Sequence, residues 1–261
     1  MFSHPPLKTH HRVAVSNLIM VVSKGIELIE RSKLRPGARY AREEILVLQM
    51  IGLHHCARSA ALLLRHGRTQ SAKVLERAVF EAYVRMRFLY SCPGLEHAHA
   101  LLLAVKDQRL KTLRKMIGFH QRNPGISNQY GDMRMDSSLL EKLESDRKEF
   151  LNTTGTCKCA PDLYTMSKES DRVELARGPK EPTLEQLYFL IYWLDSEIAH
   201  AGLMGLLHFV RGRTDRHLEV ATEGNLGEIV DCAIMTMNLC SWAQAFYVNR
   251  MSPAGLISGA G

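Results

Sequence analysis

From Thr183 to Val210 the chain reads TLEQLYFLIYWLDSEIAHAGLMGLLHFV, a stretch of helical spacing that is apolar on nearly every side. A helix without a polar face belongs in a core, so the remaining segments are expected to pack around it. At about 100° per residue, Phe189, Trp193, Ser196, His200, Met204 and Leu207 share one stripe. A hydroxyl and an imidazole therefore stand among large apolar side chains. Burying an unpartnered polar group costs about 1–3 kcal/mol, which singles out Ser196, Glu197 and His200 as residues that need partners.

The other apolar segments also repeat near 3.6 residues, and none alternates at 2. A first helix is expected over Val13 to about Ser32, ending before Arg35-Pro36-Gly37, and a second over Tyr40 to Arg65, stopped by Gly67. Further helices are expected over Thr69–Cys92, Leu95–His120, Ser137–Phe150 and Asn225–Arg250. The segment 151–182, rich in Gly, Thr, Pro and charge, reads as a long loop, and both termini read as flexible. The fold class is all-α, a single helical bundle of about six to seven helices forming one domain over 1–261.

The helix from Thr69 carries the second informative pattern. Lys73, Glu76 and Arg87 form a solvent stripe, whereas Arg77, Glu81 and Arg85 follow the edge of the apolar face at intervals of four. That spacing lets Glu81 pair with either arginine. Two readings stay open: a structural ion-pair ladder between helices, or an arginine that faces a pocket and binds an anion while Glu81 holds it. Arg77, Glu81, Ser196, Glu197 and His200 are the candidate lining of a pocket between this helix and the Thr183–Val210 helix.

Two E-x-x-H spacings, Glu96 to His99 and Glu197 to His200, raise a carboxylate-bridged metal bundle, with Glu44 or Glu81 as further ligands. Glu96 follows a Pro-Gly turn rather than lying deep in a helix, so the ligand set is incomplete and no metal or other cofactor is expected. Cys157-Lys158-Cys159 is a lone C-x-C, too sparse for a four-ligand zinc site. The six cysteines lie mostly far apart in a chain long enough to fold without staples, so free thiols and a cytoplasmic setting are expected. The longest apolar runs, Leu187–Leu194 and Ile45–Leu53, fall short of the ~20 residues that span a bilayer, and no membrane association is expected. A net charge of +7 favours anionic partners such as RNA. The basic run Lys106, Arg109, Lys111, Arg114, Lys115 and Arg122 could track a phosphate backbone, although it lacks interleaved aromatics.

The R-x-x-x-E helix (Arg77 to Glu81) followed by an S-x-x-x-H helix (Ser196 to His200) resembles an uncharacterised bacterial family of all-helical proteins, a domain of unknown function. More distantly it resembles the HEPN-type bundles of abortive-infection and toxin–antitoxin systems. Many of those are metal-independent ribonucleases with an arginine followed four to six residues later by a histidine, a spacing found here at Arg114–His120 and Arg211–His217. The resemblance implies a helical effector of bacterial defence, a ribonuclease in which His200 is general acid or base and Arg77 or Arg85 stabilises phosphorane charge. A non-catalytic interaction or sensor module is the alternative, as is the metal bundle. RNA or a protein partner and a homo-oligomeric state are the expected associations.

Overall fold

The computed structural model describes residues 7–32, 41–123, 137–156, 158–175, 182–193, 210–213, 218–220 and 227–251. The fold is all-α. Its described helices are α1 (Thr9–Glu30), α2 (Ala41–Arg65), α3 (Thr69–Leu89), α4 (Glu96–Arg122), α5 (Ser137–Thr154), α6 (Leu163–Leu175), α7 (Leu184–Leu187) and α8 (Glu228–Met251). That is one more than the upper expectation. The addition is α6, which lies inside the segment expected as a loop: Met166 and Ser170, four apart, are both buried, giving this polar sequence one packed face. The chain divides into two compact units, Met1–Ser91 with Leu163–Gly261, and Cys92–Asp162.

In the larger unit α2 packs on α1, α3 and α8, and α3 also meets α6 and the turn after α7. Helix α2 shows why such a sequence closes a core. Leu46, Met50, Leu53, Ala57, Ala60 and Leu64 recur at intervals of three and four and are all fully buried. Each large apolar side chain so placed contributes about 1.5–3 kcal/mol. By length and composition Arg42–Arg65 would suffice to cross a bilayer, but half of its apolar window is buried in the bundle. The helix ends as expected at Gly67, whose φ of 70° only glycine adopts at no cost. Arg68 N–H reaches Leu63 O at 2.9 Å and Gly67 N–H reaches Leu64 O at 3.0 Å, the paired bonds of a Schellman stop.

Among the described helices α3 is the most fully covered; residues 194–209 of the Thr183–Val210 stretch lie outside the described residues. Val79, Phe80, Ala82, Tyr83, Val84, Met86, Phe88 and Leu89 are all buried, leaving open in its second half the edge that carries Glu81 and Arg85. The expected solvent stripe on α3 is not one: Glu76 is buried, and Lys73 pairs with Glu228 of α8 at 2.6 Å. Helix α8 covers that side, a tertiary neighbour that spacing on α3 cannot reveal.

The described part of the Thr183–Val210 stretch is not a regular helix. One α-turn, α7, passes into a π-helical turn over Tyr188–Trp193. The same stretch was expected to end in helix, but Val210 starts a strand, β1 (Val210–Arg213), antiparallel to β2 (Leu218–Val220) with a bulge between Val210 and Gly212. This short ribbon is the only sheet among the described residues. In the smaller unit α4 packs along α5. Arg114 pairs with Glu144 at 2.7 Å, and Arg147 pairs with Asp107.

Candidate functional site

Helix α3 supplies the polar edge the sequence indicated. Glu81 sits between its two arginines and accepts from both, from Arg77 Nε at 3.2 Å and from Arg85 Nη2 at 2.9 Å. The three side chains are graded in exposure: 16% for Arg77, 23% for Glu81 and 36% for Arg85. A half-buried carboxylate flanked by two guanidinium groups one turn away on either side is what the i, i+4 spacing allows.

Arg77 has a further task. Its Nη2 donates to the Tyr192 hydroxyl at 2.9 Å, and its guanidinium lies 4.1 Å from the Tyr192 ring centroid. Tyr192 stacks on Tyr188 at 4.8 Å, and Tyr188 meets both Tyr164 of α6 and Phe189. Tyr164 donates to Glu185 at 2.6 Å, with Lys168 Nζ 5.3 Å from its ring. That bond to a carboxylate pushes the Tyr164 phenol above its ordinary range. An arginine and four aromatic rings thus form one cluster, edged by Phe189 and Leu190, which are 53% and 61% exposed.

The cluster is held by the start of α7. Thr183 Oγ1 accepts from Gln186 N–H and the Gln186 side chain accepts from Thr183 N–H, a capping box. Asp171 of α6 adds a second cap, its two carboxylate oxygens accepting from Leu184 N–H at 2.9 Å and Glu185 N–H at 2.8 Å. The π-turn that follows sets the phase at which Tyr192 meets Arg77 of α3 and Tyr188 stacks on Tyr192; such turns recur at functional sites.

Of the five candidate residues, Arg77 and Glu81 are brought together as expected. Ser196, Glu197 and His200 lie outside the described residues, as does Cys157. Arg85 is the more open arginine, so the group best placed to meet an anion is Arg85, with Arg77 anchoring the π-turn. The Tyr188, Tyr192 and Tyr164 ring stack and the Asp171 cap were missed. The Tyr188–Tyr192 interval of four was a visible signal, but the partner of each ring is set by tertiary packing. Burial, and then the nearby charge of Glu81, push the Cys56 thiol of α2 up.

Among the described residues no three His, Cys, Asp or Glu side chains gather as a metal site. Glu96 accepts instead from Cys92 Sγ at 2.8 Å, and His99 stands edge-on to Phe150. Cys159 donates to Asp107 at 3.0 Å, which keeps its thiol protonated. None of the five described cysteines forms a disulfide. The arginine-to-histidine pair on α4 does not converge either, because six residues of α-helix turn Arg114 and His120 about 120° apart. Arg211 lies in β1, and His217 is outside the described residues.

No curated protein and no solved structure matches the chain significantly. Residues 43–217, well over half of the chain and including α3, the aromatic cluster and β1, match DUF5677, described as a family of unknown function. On that match the chain belongs to the DUF5677 family.

Proposed function

We propose that this protein is a helical effector that binds single-stranded RNA on the face where α3 meets the π-turn, and acts on it by metal-independent acid–base chemistry of the HEPN-like, bacterial-defence kind. The observation that carries the reading is the joining of a graded Arg77–Glu81–Arg85 array to an aromatic cluster with an exposed rim. Arginine with stackable rings is the pairing that single strands require, phosphate to guanidinium and base to ring. Arg85 takes the phosphate, Phe189 offers the ring, and Arg77 with Glu81 holds the platform. His200, in the chain that leaves the π-turn, supplies the acid or base.

A second reading, a non-catalytic interaction module, is favoured by one feature: Arg77 spends donors on both Glu81 and Tyr192, as a structural strut would.

The test measures RNA binding, RNA cleavage in the presence of a chelator, and melting temperature on the same full-length variants. Expected are a loss of cleavage of about a hundredfold or more for His200→Ala with little change in melting, and about tenfold weaker binding for Phe189→Ala and for Arg85→Gln. A His200→Ala protein that melts lower yet cleaves in proportion to its folded fraction, or a wild type that binds no RNA, leaves the interaction module standing.

A further inference from the structure

Helices α1 and α2 leave between them a groove that the α3–π-turn site does not use. It holds two adjoining cavities of about 480 and 370 Å³ that share Ile19. Arg12 and Val15 of α1 line the first together with Arg65 of α2, and Val22, Ile26 and Glu27 line the second together with Arg58. The start of α1 therefore lies beside the end of α2. From Arg12 to Glu27 the groove follows about four turns of α1, a length of about 22 Å.

Its floor has the spacing of a helix-packing seam. Val15, Ile19, Val22 and Ile26 recur at intervals of four, three and four, the period at which one helix receives another. Val15 and Val22 are buried, whereas Ile19 between them is 39% exposed. On α2, Arg58, Leu62 and Arg65 recur at four and three, and Leu62 is 50% exposed. Both helices thus show an exposed apolar side chain within one stripe, midway between the groove's charged residues.

The charge here is one-sided. Arg12, Arg58 and Arg65 are all exposed, and none of the three guanidinium groups has a hydrogen bond, ion pair or ring contact. The one carboxylate among the lining residues is Glu27. By contrast, Arg77 and Arg85 are both engaged by Glu81.

We propose that the α1–α2 groove is the docking site for an acidic amphipathic helix of a partner protein. The apolar stripe of that helix lies on Ile19, Leu62 and the valine floor, and carboxylates on its flanks meet Arg58 and Arg65 on one side and Arg12 on the other. A second copy of this chain is the poorer occupant, because it brings three more arginines to the same surface. The surface shares no residue with the Arg77–Glu81–Arg85 array or the aromatic cluster and stands independently of the RNA reading.

The experiment measures fluorescence anisotropy of labelled synthetic peptides on the full-length chain at constant ionic strength, with sedimentation equilibrium and thermal melting of the chain alone. Three helical peptides of about 18 residues, enough to cover the groove, are compared. One carries leucines at heptad a and d positions with glutamates on both flanks, one the same leucines with lysines, and one the glutamate composition scrambled so that no stripe remains. The glutamate peptide should bind at least about tenfold more tightly than the other two. Arg58→Glu with Arg65→Glu should weaken it at least about tenfold and turn the preference toward the lysine peptide, and Leu62→Asn should weaken it severalfold. These side chains are exposed, so melting temperatures should stay near wild type; if the charge reversal fails to fold, Arg58→Gln with Arg65→Gln decides by loss of the preference. Equal binding of the glutamate and lysine peptides, no binding, or a preference that survives the charge reversal overturns the proposal. So does a wild-type dimer that Leu62→Asn dissociates, which seats a second copy in the groove. A short single-stranded RNA that binds wild type but not the charge-reversed chain, while the glutamate peptide binds neither, overturns it in favour of nucleic acid.

Discussion

At the scale of single residues the most informative side chain in the core is His54. It is fully buried where α1, α2 and α8 meet. Nδ1–H donates to Met50 O at 2.9 Å, and Nε2 accepts from Gln244 Nε2 at 3.0 Å; the same amide nitrogen donates to Val21 O at 2.7 Å. The neutral ring satisfies every bond, and burial pulls the His54 pKa below its ordinary 6.5. The unfolded chain therefore takes up the proton first as pH falls. Stability conferred by the neutral ring is present above about 6.5 and declines below it until the folded-state pKa is passed. His11 is shifted in the same direction, so the relevant measurement is a difference. Melting temperature should fall less steeply between neutral and mildly acid pH in His54→Gln than in wild type, and parallel slopes would remove His54 from the account. Room for the ring comes from Gly25 of α1, where a Cβ would overlap the imidazole, whereas a Cβ on Gly52 would meet nothing within 4 Å. Gly25→Ala should cost about 1–3 kcal/mol, and Gly52→Ala should gain about 0.5–1 kcal/mol. Paired denaturant titrations would check both, and equal signs would contradict the packing described.

At the scale of elements, the short α7 and its π-turn depend on neighbours rather than on themselves, since an isolated turn cannot nucleate a stable helix. Asp171 holds two of its first N–H groups from α6, through bonds to a charged acceptor. Asp171→Ala should cost about 1.5–3 kcal/mol and weaken the Arg77–Tyr192 contact as well. Glu81→Gln removes two ion pairs of partly exposed groups and should cost only about 1 kcal/mol. Chemical denaturation of both variants tests the order; a costlier Glu81→Gln would make the ladder, not the cap, the element that secures the π-turn.

At the scale of the whole molecule, the two units differ in how much they bury. On α5 no described side chain is buried, and on α4 only Ala98, Ala100, Leu101, Leu103, Leu110 and Leu113 are. Helices α2 and α3 are closed in by several neighbours. Local opening follows burial, so amide exchange in 96–122 and 137–154 should be faster than in 46–64 and 79–89. Hydrogen-exchange mass spectrometry reads this directly, and uniform protection across the chain would show that the two units open as one.

Periodicity by itself determined the all-helical class and placed α1, α2, α3, α4, α5 and α8, because an amphipathic stripe, a Gly67 stop or a Pro-Gly break is a local property of neighbouring residues. The Arg77–Glu81–Arg85 ladder was legible for the same reason, four residues being one helical turn. Tertiary structure decided which of the described helices is most fully covered. An apolar stretch records only what it could bury, and α3 buries more sides than its charges suggest because α8 covers Lys73 and Glu76. It decided, too, the helix within 151–182, whose weak pattern gains a packed face only against α3, and the π-turn, whose phase depends on where Arg77 and the Asp171 cap already stand. Arg12 and Arg65 of the α1–α2 groove lie far apart along the chain, and no local rule relates positions so distant. Only the packing of the two helices does.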